Sequence, residues 1–213
     1  MKNAWHWRRP IFDEIVKEMG LQGAGSVIDL GCSDAYLKIA IKPNRYLGVG
    51  IDEDPTCADM DANQIDVVFD LDTDKKWPWK DREFELCVAS QVLEHILRVK
   101  NACKEIKRIT RSRILIGLPN DMRLENRVFS LFGRNPLGVS ERAHCRLFDT
   151  RNAKSWVESM FGDDFEVKKV MLFYASRGNR ILPRKLQSLV ANSAPNLFAG
   201  EIYFLLQRKK GTQ

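Results

Sequence analysis

A short apolar run that ends in an acidic residue and a glycine turn constrains the fold of this chain more than any other feature. The stretch covers residues 26–37 and reads SVIDLGCSDAYL. Residues 27–30 have the apolar pattern of a buried strand, Gly31 provides a turn, and apolar residues at helical spacing follow. A strand that leads directly into a helix in this way is typical of nucleotide-binding α/β folds.

Strand and helix patterns alternate on both sides of this stretch. Such an alternation predicts right-handed crossovers and a parallel sheet. Beyond residue 119 the pattern loosens, and residues 120–148 are predicted to be an insertion. The predicted helices are 11–19, 34–41, 91–110 in one or two pieces, 150–160 capped by Thr150, and 182–190. The predicted strands are 27–30, 46–51, 65–69, 84–90, 114–118, 165–175 and 201–207, with loops at 71–82 and 192–196.

Size and composition fit a single globular domain over residues 1–213. Hydrophobic residues make up 44% of the chain and charged residues 29%, which is ordinary for a globular protein. No apolar run approaches the roughly 20 residues that span a bilayer. The N-terminal residues carry charge without an apolar segment behind them, so no secretory signal is predicted. We therefore expect a cytoplasmic protein with no membrane partner.

The five cysteines are odd in number and scattered, with no C-x-x-C pair. This pattern argues against a disulfide framework and against a structural zinc site. The sequence therefore predicts buried free thiols and no metal. The cysteines are Cys32, Cys57, Cys87, Cys103 and Cys145.

The chain has a net charge of +6. Residues 98–113 hold seven Lys or Arg residues and one Glu. A solvated helix face explains this run, and attraction to nucleic acid, a phosphorylated substrate or an acidic partner is the alternative.

Three predicted strands in a row end in an aspartate, namely Asp29, Asp52 and Asp70. Ligands of open α/β sheets bind outside the carboxyl ends of the strands. A carboxylate at the second strand end can accept both hydroxyls of a ribose, and one at the third can accept an exocyclic amine. The order predicts an adenosine-type ligand. The G-x-G-x-x-G pattern of NAD-binding proteins and the P-loop pattern are both absent.

These segments resemble the class I S-adenosylmethionine-dependent methyltransferases, in their small-molecule (type 11) branch. The resemblance covers residues 27–120. It implies a Rossmann-like doubly wound seven-stranded sheet, mostly parallel with an antiparallel last strand, and helices on both faces. It is carried by the motifs VIDLGC at 27–32, GID at 50–52, VVFDL at 67–71, FELCVASQVLEH at 84–95 and ILIGLPN at 114–120.

The resemblance also implies an organisation and a set of cofactor-binding residues. Residues 1–25 would form an N-terminal helix or flap, 26–119 the cofactor-binding half, and 120–213 the acceptor-side half with insertions at 120–148 and 177–198. Asp29 would orient the amino group of S-adenosylmethionine. The other implied contacts are Gly31, Cys32 and Ser33 at the methionine part, Asp52 and Glu53 at the ribose and adenine, Asp70 and Leu71 at the adenine edge, and Ser90 at the methionine end.

Two positions depart from the family pattern, because Ser33 and Ala35 stand where glycine is usual. Glycine is preferred where φ is positive or a ligand approaches the backbone closely. Serine and alanine are the smallest replacements, so we expect weakened rather than abolished cofactor binding.

His95 and His144 are the candidate catalytic bases. His95 follows the fourth strand, at the mouth of the predicted pocket, and His144 lies in the 120–148 insertion. A base is needed only when the acceptor carries a proton at the working pH. The alternatives are a histidine that packs a helix against the sheet at 95 and an exposed loop histidine at 144.

The acceptor is predicted to be a small molecule, and basic residues in the insertions would suit an acidic one. The ending at 195–206 and the Ser90-Gln91 pair resemble the MetW-type proteins associated with methionine biosynthesis, although residues 121–124 lack the Phe-Gly-His-Trp string of that group. This similarity implies, as an alternative, a partner or regulator of a biosynthetic enzyme. RNA methylation is a third hypothesis. DNA is disfavoured because the fourth strand is followed neither by Asn/Asp-Pro-Pro-Tyr/Phe nor by a Pro-Cys nucleophile.

Overall fold

A seven-stranded sheet forms the centre of the part of the chain that the computed structural model describes, residues 8–51, 65–134, 144–174 and 184–211. The strand order is β3-β2-β1-β4-β5-β7-β6. The strands are β1 Ser26–Leu30, β2 Arg45–Gly50, β3 Val67–Val68, β4 Phe84–Ser90, β5 Thr110–Pro119, β6 Phe165–Tyr174 and β7 Ala199–Arg208.

The pairing directions confirm the predicted fold class. β1 is parallel to β2 and β4, and β4 is parallel to β5. The last strand, β7, is antiparallel to both β5 and β6. The order reverses between β1 and β4, and ligands of doubly wound sheets bind at such a reversal. The fold therefore places the end of β1 beside the end of β4, where the sequence predicts the site.

Helices cover both faces of the sheet, as predicted. Side chains of α1 and α2 pack against Val27, Leu86 and Val88 on one face. Side chains of α3 and α5 pack against Ile28, Cys87 and the residues that alternate with them on the other. The helices are α1 Arg9–Glu18, α2 Tyr36–Ile41, α3 Val99–Ile109, α4 Leu124–Leu131, α5 Thr150–Phe161, α6 Arg184–Ser193 and α7 Pro195–Phe198.

Two local predictions were wrong, and one helix was not predicted. Residues 120–148, predicted to be an insertion, contain α4, whose apolar residues are mostly exposed. The cap of α5 is Asp149 rather than Thr150, because the Asp149 carboxylate accepts from the N–H groups of Arg151 and Asn152 in a capping box. Residues 192–196 are not a loop, since α6 continues to Ser193 and α7 begins at Pro195.

Three of the cysteines, Cys32, Cys87 and Cys103, are buried free thiols as predicted. The Cys145 thiol is exposed, so its predicted burial was wrong. Cys57 lies outside the described residues. None of the described helices is both long and apolar enough to cross a membrane. The organisation as one domain over residues 1–213 stays a prediction, although β7 pairs with β5 along seven residue pairs and so joins the two predicted halves.

Candidate active site

The turn after β1 holds three residues in the left-handed backbone region. Gly31 has φ +70°, and Ser33 and Ala35 each have φ +50°. The N–H groups of Gly31 and Cys32 both donate to the carbonyl of Val49, at 2.8 and 3.1 Å, and so tie the turn to β2. Positive φ costs a residue with a Cβ about 1–2 kcal/mol. The expectation that glycine suits positions 33 and 35 therefore has a backbone cause.

The residues of this turn are suited to contact a ligand and not to act as nucleophiles. Burial raises the pKa of the Cys32 thiol to about 12, so it stays protonated and offers only its backbone. The Ser33 hydroxyl is buried and has no hydrogen-bond partner among the described residues. A buried hydroxyl without a partner costs about 1–3 kcal/mol, which a ligand group at the turn could offset.

A Ser33→Gly variant should unfold at higher denaturant than the parent when no cofactor is present. The substitution removes both the positive-φ strain and the unpartnered hydroxyl, so we expect a gain of about 1 kcal/mol in a urea titration. Ala35→Gly is the matched comparison: it relieves the same strain but removes a buried methyl group, and its gain should be smaller. A loss of stability in Ser33→Gly would contradict this account of the turn.

Asp29 is a buried carboxyl at the end of β1, with 3% of the residue exposed. The Tyr46 hydroxyl donates to its Oδ2 at 2.6 Å. Burial raises the pKa of Asp29 to about 7, although the Tyr46 hydrogen bond acts in the opposite direction. The end of β1 therefore holds an acid that ionises near neutral pH and would be favoured as an anion by an adjacent cation.

The acids predicted at the next two strand ends are only partly described. Asp52 and Glu53 lie outside the described residues, just beyond the exposed Ile51 at the end of β2. Asp70 is exposed after β3, and its Oδ1 accepts from the N–H of Asp72 at 2.8 Å in an Asx turn. Leu71 beside it is buried. The carboxylate of Asp70 is therefore exposed at the edge of the sheet where the sequence predicts the cofactor site.

Ser90, the last residue of β4, begins a chain of polar side chains that crosses the sheet to α1. Its Oγ lies 3.1 Å from the Tyr203 hydroxyl, which donates to Glu201 Oε2 at 2.9 Å. Glu201 Oε1 is 2.8 Å from Arg8 Nη2. Tyr203 and Glu201 are buried, so this chain fixes the position of the Ser90 hydroxyl.

The two predicted catalytic histidines lie together although 49 positions separate them in the sequence. Their rings are in edge-to-face contact, with centroids 4.9 Å apart. His144 Nδ1 is 2.8 Å from Asp121 Oδ1, and the other oxygen of Asp121 accepts from the Phe148 N–H at 2.9 Å. The cysteine after His144 donates its N–H to the carbonyl of Glu94 at 2.7 Å. His144 is thus a half-buried histidine, oriented by a carboxylate, and not an exposed loop residue.

Glu94 is the buried neighbour of this pair. It lies with His95 in the 3₁₀ turn Leu93–His95, and none of its surface is exposed. Burial raises the pKa of Glu94 to about 8, against the lowering charges of His144 and Arg8. Burial by itself would lower the pKa of His144, but the hydrogen bond and charge of Asp121 outweigh it and the pKa is raised.

Sequence reasoning missed several residues of this region. Tyr46, Asp121 and Tyr203 bind predicted site residues from other segments, and the sequence carries no local signal for such contacts. Glu94 had a signal, because it directly follows two apolar residues in the Val-Leu-Glu-His string. A described surface cavity of about 410 Å³ lies on the α3 and α5 side and has none of the predicted site residues in its lining.

Comparisons with known proteins agree with this geometry. A family model described as a methyltransferase domain matches residues 4–160, well over half of the chain. A comparison with curated protein sequences found no significant match. Eight solved structures with the same fold are 11–15% identical to this chain, so they inform on the fold alone.

Three of these structures illustrate the likeness. A SAM-dependent methyltransferase from Archaeoglobus fulgidus is 15% identical, with a TM-score of 0.61 over 94% of each chain. One from Thermotoga maritima, named as a possible histamine N-methyltransferase, is 13% identical with a TM-score of 0.63 over 96% of this chain and 93% of that one. A Haloferax volcanii protein solved with the Trm112 methyltransferase activator is 14% identical, with a TM-score of 0.53 over 96% of each chain.

The family model and the strand order lead to the same conclusion. Its match includes the turn after β1, the ends of β2 and β4, and both histidines. The chain therefore belongs to the family of class I methyltransferase domains, whose cofactor is S-adenosylmethionine.

Proposed function

We propose that this protein transfers the methyl group of S-adenosylmethionine to a small-molecule acceptor, at a hydroxyl or carboxylate of a sugar or metabolite. One juxtaposition carries the proposal: the turn after β1 touches the segment that leads to the two histidines. A methyl group at residue 31 would overlap Cγ2 of Val92. The carbonyl of Val92 in turn accepts the N–H of His95 at 3.0 Å. The predicted cofactor turn and the candidate bases therefore share one edge of the sheet.

The residues at this edge fit the cofactor. Asp29 is a buried acid with a raised pKa, and the ammonium group of the methionine part would favour its anion. The Ser33 hydroxyl would gain the partner it lacks. Ser90 would line the same end, and the exposed Asp70 with Leu71 would bind the adenine edge. Asp52 and Glu53 keep their predicted roles at the ribose and adenine, outside the described residues.

S-adenosylmethionine supplies a methyl group that is already activated on a sulfonium. Much of the remaining work is alignment, which the packed turn and the fixed Ser90 hydroxyl perform by limiting the positions open to the reactants. Where the acceptor carries a proton, His144 is suited to accept it at Nε2, because Asp121 holds Nδ1. His95 is the second candidate base, since its side chain is 46% exposed and lies against His144.

An acidic acceptor would meet basic residues on the acceptor side. Arg123 is the N-cap of α4, Arg127 lies in its first half, and Arg134 is exposed after its end. Arg123 also pairs with Glu125 at 3.1 Å, which leaves part of the positive charge neutralised. Arg142 and Arg180 belong to the same predicted set but lie outside the described residues.

Release of S-adenosylhomocysteine tests the proposal. The purified chain is incubated with S-adenosylmethionine and pools of hydroxylated or carboxylated metabolites, and active pools are divided until one acceptor remains. We expect acceptor-dependent release together with a methylated product. Absence of cofactor binding at millimolar S-adenosylmethionine would overturn the proposal at its first step.

The affinity for S-adenosylmethionine should rise with pH up to about 7. Ionised Asp29 would attract the ammonium group, so affinity rises up to about tenfold per pH unit while Asp29 is still protonated in the free protein. In Asp29→Asn the affinity should be lower and independent of pH over this range. Isothermal titration between pH 5.5 and 7 measures both.

The stability of the cofactor-free protein should depend on pH in the opposite sense and fall as the pH rises. The folded-state pKa of Asp29 is raised, so its contribution to stability is fully present below about pH 3.8 and is lost as the pH rises through about 7. Asp29→Asn should flatten this dependence of stability on pH.

Tyr46→Phe removes a hydrogen bond that lowers the pKa of Asp29, and should move the midpoint of the affinity curve to higher pH. A pH-independent affinity in the parent protein would contradict the role of Asp29.

A methyltransferase-fold partner or regulator of a biosynthetic enzyme is the second candidate function. The observation in its favour is the apolar stripe of α4, where Leu131 and Phe132 are 83% and 79% exposed and Leu124 and Val128 lie on the same side. The Haloferax volcanii neighbour shows that this fold can bind an activator protein. Cofactor binding without turnover on any acceptor, with a change in the activity of an added enzyme, would support this candidate. A methylated product from the isolated chain would exclude it.

RNA methylation stays a weaker hypothesis, motivated by the net charge. RNA binding that weakens steeply with salt would be its signature, and binding insensitive to salt would remove it. The cytoplasmic location predicted from the sequence stays a prediction.

A further inference from the structure

Glu94, His95 and His144 bring three metal-binding side chains to one point beside the predicted cofactor turn. One ligand atom from each, a carboxylate oxygen and two imidazole nitrogens, lies within 4.8 Å of the others. His95 Nε2 is 4.0 Å from Glu94 Oε1. A cation placed among these atoms needs only small side-chain rotations to reach the roughly 2.0–2.2 Å distances of zinc to nitrogen and carboxylate oxygen.

The state of Glu94 is an independent sign of a ligand. No surface of Glu94 is exposed, and neither carboxylate oxygen has a hydrogen-bond partner among the described residues. Buried carboxyl groups are almost always hydrogen-bonded, because burial removes their hydration and nothing compensates for that loss when no partner is present. A carboxylate in this position is suited to bind a cation.

The residues around this cluster fix the positions of its side chains, as the residues around metal ligands commonly do. Histidines that bind metals commonly have their other ring nitrogen bonded to a carboxylate, which fixes the tautomer and the ring orientation. Asp121 provides this bond to Nδ1 of His144 at 2.8 Å and leaves Nε2 for the metal. The hydrogen bond from the N–H of Cys145 to the Glu94 carbonyl, at 2.7 Å, joins the two segments.

We propose that Glu94, His95 and His144 bind a divalent transition-metal cation, Zn²⁺ or one of similar ligand preference. Two imidazoles and one carboxylate form a donor set that such ions take with further positions left open. His95 lies at the surface and Glu94 beneath it, so the open positions face the acceptor side. There the ion would hold an anionic oxygen of the acceptor, and His144 would then serve as a metal ligand through Nε2 in place of the base proposed above. This role depends on the proposed function, but the binding of the metal does not.

This proposal departs from the sequence-based prediction of no metal. That prediction followed from the absence of paired cysteines, which excludes a thiolate site only. The ligands proposed are a buried carboxylate and two histidines, of which His144 comes from a distant segment.

The test measures metal binding without cofactor or acceptor. The full chain is prepared free of any polyhistidine tag, treated with EDTA, and titrated with ZnCl₂ by calorimetry. Titration with CoCl₂ is followed by visible absorption. We expect one equivalent to bind with a Kd of about 10 µM or tighter.

The variants Glu94→Gln and His144→Gln should each weaken Zn²⁺ binding by about 100-fold or more, and Asp121→Asn by about 10–100-fold. Gln at 94 keeps the shape and neutrality of a buried acid, so folding should survive; circular dichroism of the metal-free variants checks this. The control Glu125→Gln, at an exposed acid of α4, should bind as the parent does. Cys145→Ser tests the exposed thiol beside His144 as a competing ligand, and because it keeps the N–H bond to the Glu94 carbonyl, binding should persist.

Binding weaker than millimolar in the parent, or unchanged binding in both Glu94→Gln and His144→Gln, would overturn the site. Loss of binding in Cys145→Ser alone would overturn the ligand assignment. The chain could show no methyltransferase activity and still bind Zn²⁺ with the predicted effects of the variants. That result would support the metal site and contradict the proposed function. The two hypotheses are therefore separable.

Discussion

A Gly31→Ala variant is expected to lose about 2–4 kcal/mol of unfolding free energy and most of its affinity for S-adenosylmethionine. Gly31 has φ +70°, where a Cβ is strained. The new methyl group would also overlap Cγ2 of Val92, so the segment that leads to His95 would have to move. Urea denaturation and calorimetric titration with S-adenosylmethionine measure the two losses.

Gly23→Ala is a matched control. Gly23 has φ +69°, nearly that of Gly31, but no described atom lies within 4 Å of the position its Cβ would take. It should therefore lose only the backbone part, about 1 kcal/mol, and keep its cofactor affinity. The difference between the two variants isolates the contact with Val92.

Adding Val92→Ala to Gly31→Ala should restore part of the lost affinity, because it removes the atom that the new methyl group meets. The φ strain would remain, so recovery should be incomplete. Equal losses in Gly31→Ala and Gly23→Ala would show that the contact with Val92 does not position the turn.

An Arg8→Gln variant is expected to lose about 3 kcal/mol of unfolding free energy, because it leaves a buried carboxylate without its cation. Glu201 is buried, and after the change it would keep the Tyr203 hydrogen bond at 2.9 Å without the ion pair at 2.8 Å. The chain of contacts ends at Ser90, so a weaker affinity for S-adenosylmethionine should accompany the loss.

The double variant Arg8→Gln/Glu201→Gln should recover most of this stability, since it removes the unpaired charge together with its partner. Lys169→Gln provides the comparison. Lys169 and Glu18 also join α1 to the sheet, at 3.2 Å, but their side chains are 40% and 48% exposed, and such a pair contributes about 1 kcal/mol or less. Similar losses of unfolding free energy in Arg8→Gln and Lys169→Gln would contradict the larger contribution assigned to the buried Arg8–Glu201 pair.

Local sequence patterns predicted most of the helices and strands, because such patterns reflect which residues of a short segment are buried. The limits of β4 were predicted correctly, because residues 86–89 form the continuous apolar segment that is typical of a strand buried on both faces. Helix α5 was predicted to within a residue by its apolar period, although its cap was placed one residue too late. Helix α4 was missed because it buries little of its surface, and burial is what imposes a helical period on a sequence.

For the site, the sequence by itself determined the turn after β1, the acids at the strand ends, and the positions where glycine would be favoured. These depend on backbone conformation and on the order of neighbouring residues. Only the tertiary structure decided that Glu94, His95 and His144 meet, that Asp121 orients His144, and that Arg8 reaches Glu201. Such contacts join segments far apart in the chain, and they arise from how the sheet and its connections pack, which no local pattern encodes.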